Sequence, residues 1–120
     1  GTGAVHTLER IKPLCDMASK RLSRYPQVRV FYSDAHEDDL LFQAYQAILV
    51  TCAMSEPPEH LLKKLAVGGR LVVPMASTAQ DHKQTLLCYH KQEENKIIQT
   101  SHGAVQFVPM LRGLSRGEDI

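Results

Sequence analysis

The sequence has little net charge, few cysteines and no long apolar run. Its 120 residues carry a formal net charge of +1, which gives no electrostatic reason to expect binding to nucleic acid or to an anionic membrane. No apolar run approaches the roughly 18 residues of a membrane span, and the amino end lacks the apolar region of a secretory signal. We therefore expect a cytoplasmic protein with neither a nucleic-acid nor a membrane partner.

Motifs that bind metals or phosphates are also missing. The three cysteines are widely spaced and form no CxxC pair, so we expect free thiols in a reducing compartment rather than a zinc site. The six histidines form no HExxH motif, and no metal site is predicted. The chain contains neither GxGxxG nor a Walker A pattern, which argues against proteins that cradle phosphates in such loops.

Hydrophobic periodicity predicts alternating strands and helices. Apolar residues at Ile11, Leu14, Cys15, Ala18 and Leu22 share one helical face. The predicted strands lie at 5–8, 27–31, 47–50, 71–73, 85–89, 96–100 and 105–108. This order predicts an α/β fold with a doubly wound, mostly parallel sheet and an antiparallel hairpin at one edge. We expect a single domain over 1–120, with a frayed tail at 112–120.

Two local features of the middle of the chain carry further expectations. The continuous apolar run 47–50 suits a strand that is covered on both faces. Ser55 is a good helix N-cap, and Gly68 and Gly69 predict the end of the short helix that follows, since glycine tolerates a left-handed cap.

Acidic residues follow the first two predicted strands. Glu9 ends the strand at 5–8, and Asp34 comes 25 residues later, after the second strand. A carboxylate at such a strand end accepts hydrogen bonds from ribose hydroxyls, and a second one accepts from an adenine amino group. The pair therefore indicates an adenosine-containing ligand, with a solvated surface charge as the alternative for each residue.

Four longer stretches carry a resemblance to a known family. They read VHTLERIKPLCDMASKRL, YQAILVTCAMSEPPEHLLKKL, LAVGGRLVVPM and VQFVPMLRG. In this order they resemble the acidic strand end, the fourth strand with its loop and helix, the glycine turn with the fifth strand, and the closing FVPL segment of protein-L-isoaspartate O-methyltransferases. The chain resembles roughly the carboxyl-terminal two-thirds of such a methyltransferase. The resemblance implies a Rossmann-like methyltransferase fold without the first strand and its glycine-rich loop.

The resemblance also implies a function and a set of site residues. The family transfers a methyl group from S-adenosylmethionine to the α-carboxylate of isoaspartyl residues in proteins and peptides, and the ester then closes to a succinimide as a step of protein repair. It implies cofactor binding by Glu9, Arg10, Asp34, Ala35, Thr51 and Cys52. It implies substrate binding by Ala53, Phe107, Val108 and Pro109. It names no catalytic side chain and no metal ligand.

Three departures from the family pattern favour a second hypothesis. Ser33-Asp34-Ala35 stands where the family has Gly-Asp-Gly, Gln46 replaces an aspartate, and Met54 enters a loop of small residues. Side chains at the former glycines would crowd a ligand that approaches the backbone closely. The alternative is a non-catalytic methyltransferase-like domain that acts as a binding or assembly module.

The strand that the resemblance leaves out would lie at the centre of the sheet. It would separate strand 5–8 from strand 47–50, and each buried backbone group left unpaired there costs about 1–3 kcal/mol. Three arrangements would remove that cost: direct pairing of the two strands, a strand from another copy of the chain, or a second polypeptide that completes the sheet.

Overall fold

The computed structural model describes residues 3–34, 44–76, 83–111 and 113–117. These residues form two compact units: the first contains 3–34 and 113–117, and the second contains 44–76 and 83–111. Parallel strand–helix–strand connections and an antiparallel hairpin occur together, so the predicted α/β class is confirmed. Neither of the helices in the described residues is long and apolar enough to span a membrane.

The first unit is one strand–helix–strand connection. Strand β1 (Val5–Glu9) leads into helix α1 (Lys12–Leu22) and then strand β2 (Val28–Tyr32). The strands are parallel and in register from Val5 opposite Val28 to Glu9 opposite Tyr32, so both carboxyl ends lie at the same edge. Helix α1 forms where the apolar period predicts it, with Cys15 buried but Leu14 43% exposed. It carries Pro13 in its first turn, where the missing N–H costs little.

The second unit is a four-stranded mixed sheet with one short helix. In chain order its elements are β3 (Tyr45–Leu49), α2 (Glu59–Leu62), β4 (Leu65–Ala76), β5 (Gln84–Glu93) and β6 (Lys96–Val105). The strand order is β3-β4-β5-β6, parallel between β3 and β4 and antiparallel from β4 to β6. The core of this unit lies on β4 and β5 and consists mainly of Leu65, Leu71, Val73, Leu87 and Tyr89.

The start of β4 differs from the sequence prediction. The glycine pair does not end a helix, because Gly68 and Gly69 both lie inside β4. Gly68 has φ +88, and the register moves from Tyr45 opposite Leu65 to Ala47 opposite Arg70. The glycines therefore accommodate a bulge in a strand. The bulge needs the same backbone freedom that a helix cap would have needed. Ser55 is also wrong as the N-cap, since Pro58 occupies that position.

Strand β3 is less covered than its apolar sequence predicts. Leu49 is 71% exposed, and only Val50, just beyond the strand, is buried. The physical reason is that β3 is one of the two edge strands of its sheet, and α2 has only four residues and packs against β4.

Parts of the hairpin and the tail also differ from expectation. Strands β5 and β6 are longer than predicted, and the turn between them is Glu94–Asn95. Strand β6 ends at Val105, and the expected strand at 105–108 is replaced by a single bridge between Pro109 and Ala53. Residues 113–117 of the expected frayed tail are ordered by backbone hydrogen bonds, and Ser115 is 5% exposed.

Candidate cofactor and substrate site

Glu9 lies at the carboxyl end of β1 with its carboxylate already anchored. Its Oε1 accepts a hydrogen bond from the backbone N–H of Ile11 at 3.1 Å, and its backbone carbonyl accepts one from Ser33 N–H at 3.1 Å. The first bond places the negative charge at the start of α1, where the helix dipole favours it. The side chain is half-buried and is held in one orientation at the edge where ligands of parallel sheets bind.

Asp34 and Arg10 lie at the same edge and hold one glycine between them. Asp34 Oδ2 accepts a hydrogen bond from Gly113 N–H at 2.8 Å, and Arg10 Nε donates to the Gly113 carbonyl at 2.7 Å. The structure thus brings Glu9, Arg10 and Asp34 together on one unit, as the sequence predicts from the two strand ends. Ala35, which was expected beside the adenine, lies outside the described residues.

Sequence reasoning missed the carboxyl-terminal segment that reaches this edge. Ser115 N–H donates to the Arg10 carbonyl at 2.7 Å, and Lys12 N–H donates to the Ser115 carbonyl at 2.6 Å. The Tyr32 hydroxyl donates to the same Ser115 carbonyl at 3.0 Å. Apart from Gly113, whose φ is +80, nothing in the sequence of this segment signals such a role.

The loop after β3 carries the other predicted cofactor residues. Thr51 is exposed and Cys52 is half-buried, and Cys52 packs against the core of the second unit. Met54, which the sequence suggested as an intruder in the site, also packs against that core. These residues belong to the second unit.

Ala53 and Met54 fix this loop from two sides. Ala53 N–H donates to the Val108 carbonyl at 2.7 Å, and Met110 N–H donates to the Ala53 carbonyl at 2.8 Å. Met54 is bonded to the end of β4. Its N–H donates to the Pro74 carbonyl at 2.9 Å, and its carbonyl accepts from Ala76 N–H at 2.8 Å. The structure therefore joins the predicted substrate residues Ala53, Val108 and Pro109 into one arrangement.

A second residue that sequence reasoning missed is Gln84. It is 8% exposed, and its side-chain amide donates to the Phe107 carbonyl at 2.9 Å and accepts from Phe107 N–H at 2.8 Å. This pair of bonds fixes the backbone of the predicted substrate segment while the side chains of Phe107 and Val108 remain exposed. An isolated glutamine at the start of an apolar strand was the only available signal.

No metal chemistry is indicated by the described side chains. Within residues 3–34, 44–76, 83–111 and 113–117, no group of three or more His, Cys, Asp or Glu residues is arranged to hold a metal ion. The groups that the arrangement offers are carboxylates at the strand ends of the first unit and an apolar, backbone-rich surface in the second.

The strand–helix–strand connections and the acidic strand ends place the chain in the Rossmann-like α/β class, whose ligands bind beyond the carboxyl ends of parallel strands. The family model described as Protein-L-isoaspartate(D-aspartate) O-methyltransferase (PCMT) matches residues 1–115. The chain belongs to this family, and the resemblance found in the sequence is confirmed.

Individual relatives give the same assignment. The chain is 36% identical over 112 residues to the protein-L-isoaspartate O-methyltransferase of Methanosarcina mazei, covering 92% of this chain and 44% of the relative. It is 38% identical to that of Methanocella arvoryzae, covering 92% of this chain and 57% of the relative. The chain thus spans about half the length of the curated relatives it matches, a smaller share than the sequence suggested.

Solved structures share the fold. A structure from Plasmodium falciparum, described as a beta-aspartate methyltransferase in complex with S-adenosyl-L-homocysteine, superposes with a TM-score of 0.76 at 25% identity, covering 90% of this chain and 52% of that one. A second structure, of a protein-L-isoaspartate O-methyltransferase, has a TM-score of 0.82 at 23% identity, covering 96% and 37%. The second likeness concerns the fold alone.

Proposed function

We propose that this chain takes part in methyl transfer from S-adenosylmethionine to the α-carboxylate of isoaspartyl residues in proteins and peptides. The observation that carries the proposal is the anchored carboxylate of Glu9 at the carboxyl end of β1, one parallel strand from Asp34. A carboxylate fixed in this way suits the two hydroxyl donors of a ribose. The S-adenosyl-L-homocysteine in the Plasmodium falciparum relative supports the choice of cofactor.

Each predicted residue has a distinct part in this proposal. Glu9 would accept from the ribose hydroxyls, Asp34 from the adenine amino group, and Arg10, Thr51 and Cys52 would line the cofactor. S-adenosylmethionine, when bound, supplies a methyl group on a positively charged sulfur. The chain's contribution is binding and alignment of the acceptor carboxylate, which accelerates such transfers without a covalent enzyme intermediate.

The substrate side of the proposal rests on the second unit. Ala53 and the segment 107–109 would bind the isoaspartyl peptide, since Gln84 and Ala53 fix the backbone of this segment. The exposed side chains of Phe107 and Val108 offer apolar surface to residues that flank the isoaspartate. A cytoplasmic location is part of the proposal and is supported by the three free thiols, Cys15, Cys52 and Cys88.

Calorimetric titration with S-adenosylhomocysteine tests the cofactor site. We expect binding that weakens about tenfold or more in Glu9→Ala, because hydrogen bonds to a charged group are lost. Glu93→Ala, the same change at an exposed carboxylate on β5, is the matched control and should bind as the wild type does. Equal affinity in Glu9→Ala and the control would contradict the assigned role of Glu9.

Transfer of a labelled methyl group tests the activity itself. An isoaspartyl peptide should accept label, and the same peptide with normal aspartate should not. Labelling of both peptides to the same extent would contradict the proposed substrate class. The chain spans only part of its relatives' length. Cofactor binding without methyl transfer would therefore support the cofactor site and contradict only the transfer activity of this chain.

The exposure of Leu49 favours a second candidate, the non-catalytic assembly module. This apolar side chain lies on an edge strand of its sheet, where a second copy or another chain would add a strand. Under this candidate, Leu49→Asp abolishes concentration-dependent association in analytical ultracentrifugation, and Ile97→Asp on β6, the other edge strand of the sheet, leaves it intact. A monomer at all concentrations would remove self-association from consideration.

A further inference from the structure

The segment from Gly113 to Gly117, which we call the C-terminal strap, lies across the carboxyl ends of β1 and β2. Four backbone groups of the strap bond to Asp34 or to residues 10–12: the N–H and carbonyl groups of Gly113 and of Ser115. A parallel bridge between Ile11 and Ser115 completes the contact. The strap is therefore held as an added piece of extended backbone at the ligand edge of the first unit.

The strap uses a group that the proposed cofactor would need. Asp34 Oδ2 accepts from Gly113 N–H at 2.8 Å, and an adenine amino group would donate an N–H of the same kind to the same carboxylate. Arg10, which would line the adenine, donates instead to the Gly113 carbonyl. The backbone of Gly113 thus stands between two side chains assigned to cofactor binding.

Two features of the strap itself favour the conformation in which it is bound to the first unit. Gly113 has φ +80, and a Cβ added there would meet nothing within 4 Å, so glycine is required for its backbone conformation and not for space. Gly117 N–H donates to the Ser115 hydroxyl at 3.0 Å, which closes the end of the strap on itself. Ser115 is buried although it is polar; its backbone N–H donates to Arg10, and its carbonyl accepts from Lys12 and Tyr32.

We propose that the C-terminal strap is an autoinhibitory element, in which the backbone of Gly113 occupies the place of the cofactor's adenine between Asp34 and Arg10. The inference rests on the proposed function, since it takes Asp34 as the adenine acceptor. Cofactor binding then requires release of Gly113 from Asp34 and Arg10. The apparent affinity for the cofactor is reduced by the fraction of molecules in which the strap is docked.

Calorimetric titration of strap variants with S-adenosylhomocysteine tests this competition. Gly113→Pro combined with Ser115→Pro removes both backbone donors and excludes the positive φ at 113. We expect this variant to bind roughly threefold to tenfold more tightly than the wild type. Leu114→Ala, which changes an exposed side chain between the two donors, is the control and should match the wild type. Gly113→Ala, which adds only backbone strain, should lie between them.

Amide hydrogen exchange supplies a second measurement that does not depend on affinity. In the wild type, the amides of Gly113 and Ser115 should be protected, and saturating S-adenosylhomocysteine should make both exchange faster. Unchanged or slower exchange on binding would overturn the competition.

The possible outcomes distinguish failure of the autoinhibitory role from failure of the proposed cofactor site. Equal or weaker binding by the double-proline variant, with clear binding by the wild type, overturns the strap and leaves the cofactor site intact. Binding by the variant alone supports the strap strongly. Binding by neither protein removes the cofactor site itself, and the autoinhibitory role falls with it.

Discussion

The side-chain amide of Gln84 satisfies both backbone polar groups of Phe107. Its Nε2 donates to the Phe107 carbonyl at 2.9 Å, and its Oε1 accepts from Phe107 N–H at 2.8 Å. Gln84 is buried and Phe107 is partly exposed, so a group in the core fixes a segment at the surface. The amide does here what a neighbouring strand does elsewhere in the sheet.

Replacement of Gln84 should destabilise the chain. Gln84→Ala leaves two partly buried backbone groups without their partner, and we expect a loss of about 1–3 kcal/mol in the free energy of unfolding. Gln99→Ala, at an exposed position on β6, should change it by less than about 0.5 kcal/mol. Urea unfolding of both variants checks the prediction, and equal midpoints would contradict it.

A pair of leucine substitutions tests the exposure of β3. Leu71 is 0% exposed in the core, so Leu71→Ala should cost about 2–5 kcal/mol. Leu49→Ala should cost less than about 0.5 kcal/mol, because Leu49 is mostly exposed. The measurement is urea unfolding at several protein concentrations. A large, concentration-dependent loss for Leu49→Ala would show that another chain covers β3 in solution.

The fall in the free energy of unfolding at alkaline pH should depend on Tyr89. Burial raises the pKa of Tyr89 above its ordinary value of 10.0. The unfolded phenol loses its proton from about pH 10 while the folded one keeps it, so the unfolded state binds fewer protons and stability falls as pH rises beyond that value.

The check compares Tyr89→Phe with the exposed Tyr25→Phe. Urea midpoints measured from about pH 9 to about pH 11 should fall less steeply in Tyr89→Phe than in the wild type. Tyr25→Phe should follow the wild-type slope. Identical slopes in all three proteins would mean that the Tyr89 phenol is as well solvated as an exposed one.

The bulge in β4 gives a prediction about two glycines. A Cβ at Gly69 would lie 2.8 Å from the backbone oxygen of Ala66, so Gly69→Ala forces the backbone to shift and should cost about 1–3 kcal/mol. Gly3→Ala is the comparison, because a Cβ added at Gly3 would meet nothing within 4 Å. If urea unfolding gives Gly69→Ala the smaller loss, the close contact at Ala66 is not present in solution.

The elements that the sequence predicts well are those set by local pattern. Helix α1 follows from the apolar period of Ile11 to Leu22 and from Pro13 in its first turn. The start of β4 was misassigned because Gly68 and Gly69 permit either a helix end or a bulge. Only the pairing of β4 with β3, which lies outside the local sequence, decides between these uses.

In the candidate site, too, the residues that local pattern marks were predicted, and those that depend on long-range contacts were missed. Glu9 and Asp34 were found because each follows a strand in the local pattern, and their assignment to a cofactor stays a prediction. Gln84 and Gly113 were missed because their bonds reach 23 and 79 residues along the chain. No periodicity or motif encodes a hydrogen bond between a side chain and such a distant backbone group.

The alternate bonding of Ala53 and Met54 has a mechanical consequence. Ala53 is bonded to 108–110, and Met54 is bonded to the end of β4. The loop therefore joins these two pieces of backbone through hydrogen bonds. A displacement of 108–110 must carry the loop with it or break both bonds at Ala53. The exposed Val108 is therefore connected through Ala53 and Met54 to the end of β4.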